Sequence, residues 1–256
     1  MVTIENLSIS YPDADKSLPA LDYFTAVFEN GKIAAILGPS GCGKTSLLNV
    51  IAGLKKPSAG RISIDGTPIV SVGKGTAIIF QDFGLLPWKT AEANIELPLL
   101  INKVPTKERK ERTRALLDEF GLKDFAHYYP VQLSGGMKQR IAISRSLVSS
   151  PSLLLMDEPF SSLDALSRED AQNFLLALHR KRPLTIIVVT HSIEEAVFLA
   201  DDIFIIKGRN PGRLAAHIQN SPRAPDKSFR NSPKFQEMCG RLREIMEAPN
   251  PISTAA

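Results

Sequence analysis

One segment constrains the fold more than any other. The apolar run Ile33-Ala34-Ala35-Ile36-Leu37 leads directly into Gly38-Pro39-Ser40-Gly41-Cys42-Gly43-Lys44-Thr45-Ser46. A strand, a glycine-rich turn and a helix start, in that order, form a phosphate-binding loop. Glycines let the backbone wrap around phosphate oxygens, and successive N–H groups at the helix N-terminus make an anion nest. Lys44 supplies a point charge for the β- and γ-phosphates of ATP, and the Thr45 hydroxyl a ligand for Mg²⁺. A chance glycine-rich turn is the competing explanation, and the strand–turn–helix context disfavours it. Ser40 in this turn is not a hydrolase nucleophile, because Lys44-Thr45 fixes the meaning of the loop.

A second apolar run, Leu153-Leu154-Leu155-Met156, ends in Asp157-Glu158. Unbroken apolar strands suit a parallel sheet covered on both faces, and ligand chemistry gathers at the carboxyl ends of such strands. Asp157 is expected to hold the magnesium shell. Glu158 is placed to polarise an attacking water as general base. Without a phosphate loop upstream, both acids would read as caps of the turn before Pro159.

With these motifs in hand, the chain resembles the ATP-binding subunits of ABC transporters over residues 1–220. The resemblance rests on residues 38–46, Gln81, Leu133-Ser134-Gly135-Gly136-Met137-Lys138-Gln139-Arg140, the strand into Asp157-Glu158-Pro159, residues 161–164, and Thr190-His191, all in the family's order. It implies an α/β P-loop core with an antiparallel β subdomain and an inserted α-helical subdomain. It also implies that Ser134, Gly135 and Gly136 meet the γ-phosphate held by a second copy, in a head-to-tail sandwich. Gln81 would reach Mg²⁺ and the attacking water, and His191 would clamp the γ-phosphate. Asp164 would line the dimer face, with a helix cap as the alternative. Tyr11 would stack on adenine, with a surface turn tyrosine beside Pro12 as the alternative.

Within that family, Phe80 to Trp88, Leu97-Pro98-Leu99, Tyr129-Pro130 and Met137 look like the nitrate/sulfonate/taurine importer branch. Ser162 and Asp82 depart from many relatives in ways that put little in doubt. The branch implies a membrane permease docking near Gln81–Trp88, an extracytoplasmic solute-binding protein, and cargo such as a small anion or vitamin precursor.

Composition sets the remaining bounds. The chain has 256 residues, enough for one α/β domain with a subdomain, and 43% of them are hydrophobic. Its longest apolar stretches fall short of the roughly twenty residues that span a bilayer. The N-terminal residues lack the basic start and apolar core of a signal peptide. The expected location is therefore cytoplasmic, peripheral on the inner face of the cell membrane. Cys42 and Cys239 give no disulfide framework. Cys42 is expected to fill space in the phosphate loop, with a reactive thiol as the alternative.

The net charge is +4, and much of the excess lies late, from Lys207 to Arg243, where it reads as soluble surface. The cluster Lys107 to Arg112 interleaves acids at helical spacing, as a solvated helix face does, and no nucleic-acid partner is expected. DNA-repair, translation-associated and purely regulatory relatives are the rival classes. The first would bring long heptad arms or zinc-binding cysteines and the second two cassettes. The third sits poorly with Glu158 and His191 both intact.

Along the chain, Val2 to Ile9, Tyr23 to Phe28 and Arg61 to Ile64 predict an antiparallel β layer. A phosphate-loop helix follows Gly43, and residues 89–150 are expected to form the helical subdomain. The core returns with the strand to Asp157, a helix over 165–181, the strand to Val189, and short strands near 202–206 and 213–218. Residues 221–256 read as a basic tail with a helix over 233–246.

Overall fold

Alternating side chains at the N-terminus build an antiparallel sheet. β1 (Val2–Asp13) pairs with β2 (Lys16–Phe28) and β4 (Ala59–Ile64), and β4 with β5 (Thr67–Pro68), in the order β2-β1-β4-β5. The computed structural model describes residues 1–13, 16–73, 75–182, 184–220 and 227–249. β2 begins well before Tyr23, because its first half continues the hairpin, with Leu18 opposite Tyr11.

The second sheet carries the chemistry. It combines β3 (Ile33–Leu37), β6 (Thr76–Ile79), β7 (Leu153–Asp157), β8 (Thr185–Thr190), β9 (Asp202–Lys207) and β10 (Arg213–Gln219), in the order β10-β9-β3-β8-β7-β6. All its pairings are parallel except that of edge strand β10. Both faces are covered, which is why β3 and β7 read as unbroken apolar runs. Ile33, Ala35, Leu37, Leu154 and Met156 join the core on the helical side. Ala34, Ile36, Leu153 and Leu155 join the core against the antiparallel sheet and α1 (Lys44–Ile51).

Between β6 and β7 lie α2 (Ala91–Ile101), α3 (Thr106–Glu119) and α4 (Gly135–Leu147). After β7 come α5 (Ala165–Lys181), α6 (Ile193–Leu199) and α7 (Pro233–Glu247). Short polar side chains set most of the starts. Thr90, Ser134, Asp164, Ser192 and Ser232 each accept a first-turn N–H of α2, α4, α5, α6 and α7.

The late basic region differs from the solvated surface that its charge suggests. Phe235, Cys239 and Leu242 of α7 are buried in the helical-side core. Lys207 is buried as well, its Nζ donating to the carbonyls of Ile245 and Ala248 at the end of α7. The reason is local: α7 leaves terminal carbonyls without helical partners, and a buried ammonium satisfies them.

Candidate active site

The phosphate loop leaves β3 and runs into α1 under tight backbone constraints. A Cβ on Gly38 would lie 2.6 Å from the Ile206 carbonyl oxygen and 2.7 Å from Cys42 Sγ. Gly43 has φ 95°, and a Cβ there would lie 2.6 Å from the Ala20 carbonyl oxygen. β9 and β2 thus crowd the loop from two sides, and only glycine fits. Cys42 is fully buried and fills the space beneath Gly38, and burial pushes its thiol up against the pull of Lys44.

Lys44 is 4% exposed, and its Nζ donates to the carbonyls of Gly38 at 2.8 Å and Pro39 at 2.9 Å. The ammonium therefore sits inside the curve of the loop, where a phosphate would take its third donor. Gly41 and Ser40 line the exposed rim of that curve. Thr45 Oγ1 donates to Asp157 Oδ1 at 3.1 Å, joining α1 to the end of β7. Burial raises the Asp157 carboxyl, opposed by the Thr45 hydroxyl and Lys44 and reinforced by Glu158. A hydroxyl and a carboxylate at hydrogen-bond distance, the latter buried, are hard oxygen donors that fit a small divalent cation.

One residue on, Glu158 adopts φ 44°, a left-handed conformation that non-glycine residues rarely take. Its N–H donates to the Val189 carbonyl at 2.9 Å, pinning the turn to β8. The strained turn carries the Glu158 carboxylate toward the following strand end, and Oε2 lies 3.1 Å from His191 Nδ1. Functional sites are where such strain collects. Gln81 follows β6, with Nε2 3.5 Å from Ser161 Oγ, and Ser161 in turn donates to the Glu158 carbonyl at 2.9 Å. Lys44, Thr45, Gln81, Asp157, Glu158 and His191 thus gather at the carboxyl ends of β3, β6, β7 and β8, as the open-sheet rule requires.

Tyr11 stands at the edge of this cluster. Its hydroxyl lies 2.9 Å from Ser46 Oγ, and Lys55 Nζ sits 3.3 Å over its ring. One ring face is therefore taken by a cation.

Ser134, Gly135 and Gly136 sit apart at the start of α4. Ser134 Oγ accepts the Met137 N–H at 3.3 Å, and among the described residues no hydrogen bond joins the three to the phosphate loop. A Cβ on Gly135 would lie 2.7 Å from Leu163 Cδ2, a side-chain tip that could move aside. Gln139, fully buried, donates to the Pro159 carbonyl at 3.1 Å and ties α4 to the loop after Glu158. Asp164 caps α5 by accepting the Ser167 N–H at 3.0 Å, and the Ser167 hydroxyl, followed by that N–H, holds its carboxyl below the usual range.

Two residues outside the sequence motifs shape the Gln81–Trp88 loop. Arg145 of α4 donates to the carbonyls of Phe83 at 2.7 Å and Gly84 at 2.6 Å. Asn94 of α2 is fully buried, accepts the Leu86 N–H at 2.8 Å, and donates to the carbonyls of Leu86, Lys89 and Thr90. An Arg and an Asn inside helical stretches give no sign of this work in one sequence. Only Asn94, a helix-disfavoured residue amid apolar neighbours, carried a hint. Trp88 is 70% exposed at the loop's far end.

Comparison with known proteins agrees with this geometry. Residues 21–161 match the family described as ABC transporter. The chain is 39% identical to a taurine import ATP-binding protein, TauB, of Yersinia pestis, covering 89% of this chain and 94% of that one. It is 36% identical to the TauB of Rhizobium johnstonii over the whole of both chains. It is 37% identical to an uncharacterized ABC transporter ATP-binding protein of Methanocaldococcus jannaschii, MJ0412, covering 95% and 90%. Among solved structures it resembles a dimeric post-hydrolysis state of the ATP-binding cassette MJ0796 bound to ADP and Pi, with TM-score 0.75 and 31% identity, covering 86% of this chain and 99% of that one. Motif order, sheet topology and these likenesses converge: the chain belongs to the ABC transporter family, as one of its ATP-hydrolysing, ATP-binding subunits.

Proposed function

We propose that the chain powers an importer for a small anionic or vitamin-like solute, working as a head-to-tail pair beneath a membrane permease. The observation that carries the catalytic part is the paired contact Thr45–Asp157 and His191–Glu158 at neighbouring strand ends. The importer part is supported by the relatives named for taurine import, which match at 36–42% identity.

In this reading Lys44 and the loop N–H groups of residues 38–46 hold the β- and γ-phosphates. Thr45, Asp157 and Gln81 would hold Mg²⁺, which when bound offsets phosphate charge. Glu158 accepts the proton of the attacking water, and His191 donates to the γ-phosphate as ADP leaves. Positioning and charge stabilisation supply most of the gain, as in phosphoryl transfer generally. Tyr11 stacks on adenine. Ser134, Gly135, Gly136 and Asp164 serve the site of the second copy, in keeping with the dimeric form of the MJ0796 cassette.

Residues 1–220 form the cassette, with 89–150 moving on ATP binding and 221–256 as an appendage. Closure would reach the permease through Gln81–Trp88, whose backbone Arg145 and Asn94 fasten to α4 and α2. Among the described residues no helix is long and apolar enough to cross a membrane. We place the chain on the cytoplasmic face, held there by its permease.

Purification from gently solubilised native membranes tests this. An equimolar multi-span permease is expected, with a binding protein that selects among taurine, other sulfonates, nitrate and pyrimidine precursors. A soluble or nucleic-acid partner without a permease would overturn the transport reading and leave the ATPase site intact.

A further inference from the structure

Glu195 is a buried carboxylate outside the nucleotide-handling set. It lies on α6, 5% exposed, and its Oε2 accepts the Thr190 hydroxyl at 2.6 Å. The Thr190 oxygen also accepts the Ser192 N–H at 3.0 Å, so this side chain spans the turn that holds His191. Ser192 Oγ accepts the Glu195 N–H at 3.2 Å and closes the turn from the other side. The Thr190 carbonyl accepts the Gly38 N–H at 3.4 Å, which anchors the same residue to the phosphate loop. His191 therefore projects from a turn fixed at both of its neighbours.

Capping α6 does not explain the carboxylate. In a capping box it would reach back to the N–H of the cap residue. Here that N–H is satisfied by Thr190 Oγ1, and the carboxylate turns inward to hold Thr190 instead. Burying an acid is costly unless the surroundings return the energy, and burial does raise the Glu195 carboxyl, opposed by the Thr190 hydroxyl, Arg168 and His191.

One guanidinium lies beside it, and a second packs on the same helix. Arg168 Nε of α5 lies 3.9 Å from Glu195 Oε1, and its other end donates to the Leu163 carbonyl at 3.0 Å, in the loop leading to Asp164. Arg230 follows β10 in a short turn over Lys227–Asn231. Its guanidinium lies 3.4 Å over the Phe198 ring and donates to Gln172 Oε1 at 2.5 Å. The Nε atoms of both arginines are buried without a hydrogen-bond partner.

We propose that Glu195 is a positioning residue for hydrolysis: through Thr190 it fixes the turn that aims His191 at the γ-phosphate, with Arg168 beside the carboxylate. The inference rests on the reading of His191 as the γ-phosphate clamp.

Steady-state ATPase kinetics on the full chain test it, using Thr190→Val, Glu195→Ala and Glu195→Gln, each alone and with His191→Ala. Thr190→Val and Glu195→Ala are expected to lower kcat about tenfold, the scale of partners that orient a working group, and to leave KM for ATP within about twofold. Glu195→Gln keeps an acceptor for the Thr190 hydroxyl and is expected to recover most of the loss. Added to His191→Ala, none of the three should lower kcat further, since coupled residues are non-additive. Normal kcat in both Thr190→Val and Glu195→Ala, with His191→Ala impaired, overturns the inference alone. An equal loss in the His191→Ala background also overturns it, because Glu195 then acts elsewhere. Normal kcat in His191→Ala itself removes the clamp reading and this inference with it. If Glu195→Ala does not fold, Thr190→Val and Glu195→Gln carry the same comparison.

Discussion

The turn that holds Lys44 and the turn that holds Ser134 are built alike, each with glycines at a helix N-terminus, yet the chain finishes them differently. At α1 the cap residue is Gly43, with no side-chain cap, and the N–H groups of the first turn stay open. Around it, Lys44, Thr45, Asp157, Glu158 and His191 are joined by contacts within this one chain. At α4, Ser134 spends its oxygen on its own helix, and its ties run inward to Leu163 and Pro159. One turn sits in a gathered site, and among the described residues no hydrogen bond joins the other to the phosphate loop. Both retain the dipole and open donors that favour an anion. The difference is the ground for proposing that the second turn serves a site whose other half is on another molecule, in keeping with the dimeric form of the MJ0796 cassette.

The sharpest break of this comparison is within the gathered site. Glu158→Gln should reduce ATP turnover by about 10²–10⁴ while nucleotide binding, read by a fluorescent ATP analogue, persists. Lys44→Ala should instead lose binding and turnover together. Normal turnover in Glu158→Gln would remove Glu158 as the base.

Next comes the ungathered turn. A Cβ at Gly136 meets nothing within 4 Å, so Gly136→Asp should fold normally, and the acid at the helix start favours the dipole. Its charge would face the partner's γ-phosphate, and turnover should fall about 10²–10³-fold, the scale of a lost oxyanion donor, with ATP binding kept. Wild-type turnover in Gly136→Asp would mean that α4 meets no phosphate.

A smaller effect is expected at the rim. Tyr11→Ala should weaken ATP binding by roughly 1–3 kcal/mol, the range for base–aromatic stacking, and leave GTP and ATP about equally affected. Unchanged affinity would leave Tyr11 with only its Ser46 and Lys55 contacts. Least of all is expected at Cys42. Its thiol is buried and raised, so the folded protein should resist iodoacetamide with ATPase activity unchanged. Cys239, pushed up to about 11 by burial, should resist as well. Rapid, ATP-protected labelling of Cys42 with loss of activity would restore the reactive-thiol alternative.

The gathered site was largely legible in the sequence: Asp157, Glu158 and His191 close apolar runs, Lys44 and Thr45 follow one through a glycine turn, and parallel strands bring such ends together, while Gln81 rested on the family resemblance. The two-sided core was legible for the same reason. What the sequence hid were the side chains that work through backbone carbonyls. Arg145 and Gln139 sit in helices with ordinary surroundings and bond carbonyls distant in the chain, while Asn94 bonds the nearby loop that leads into α2. Lys207 counted as surface charge until α7 was seen to end against it. The spacing of Phe235, Cys239 and Leu242 at helical intervals already marked a buried face on α7.

The central claim is that Ser134, Gly135 and Gly136 complete the site of another copy. ATPase rate measured against protein concentration, from dilute monomer upward at saturating ATP, tests it directly. A rise steeper than linear at low concentration, becoming linear once pairs dominate, is the predicted result. Strict proportionality down to concentrations where the chain is monomeric would mean that one copy holds a complete site, contradicting the account.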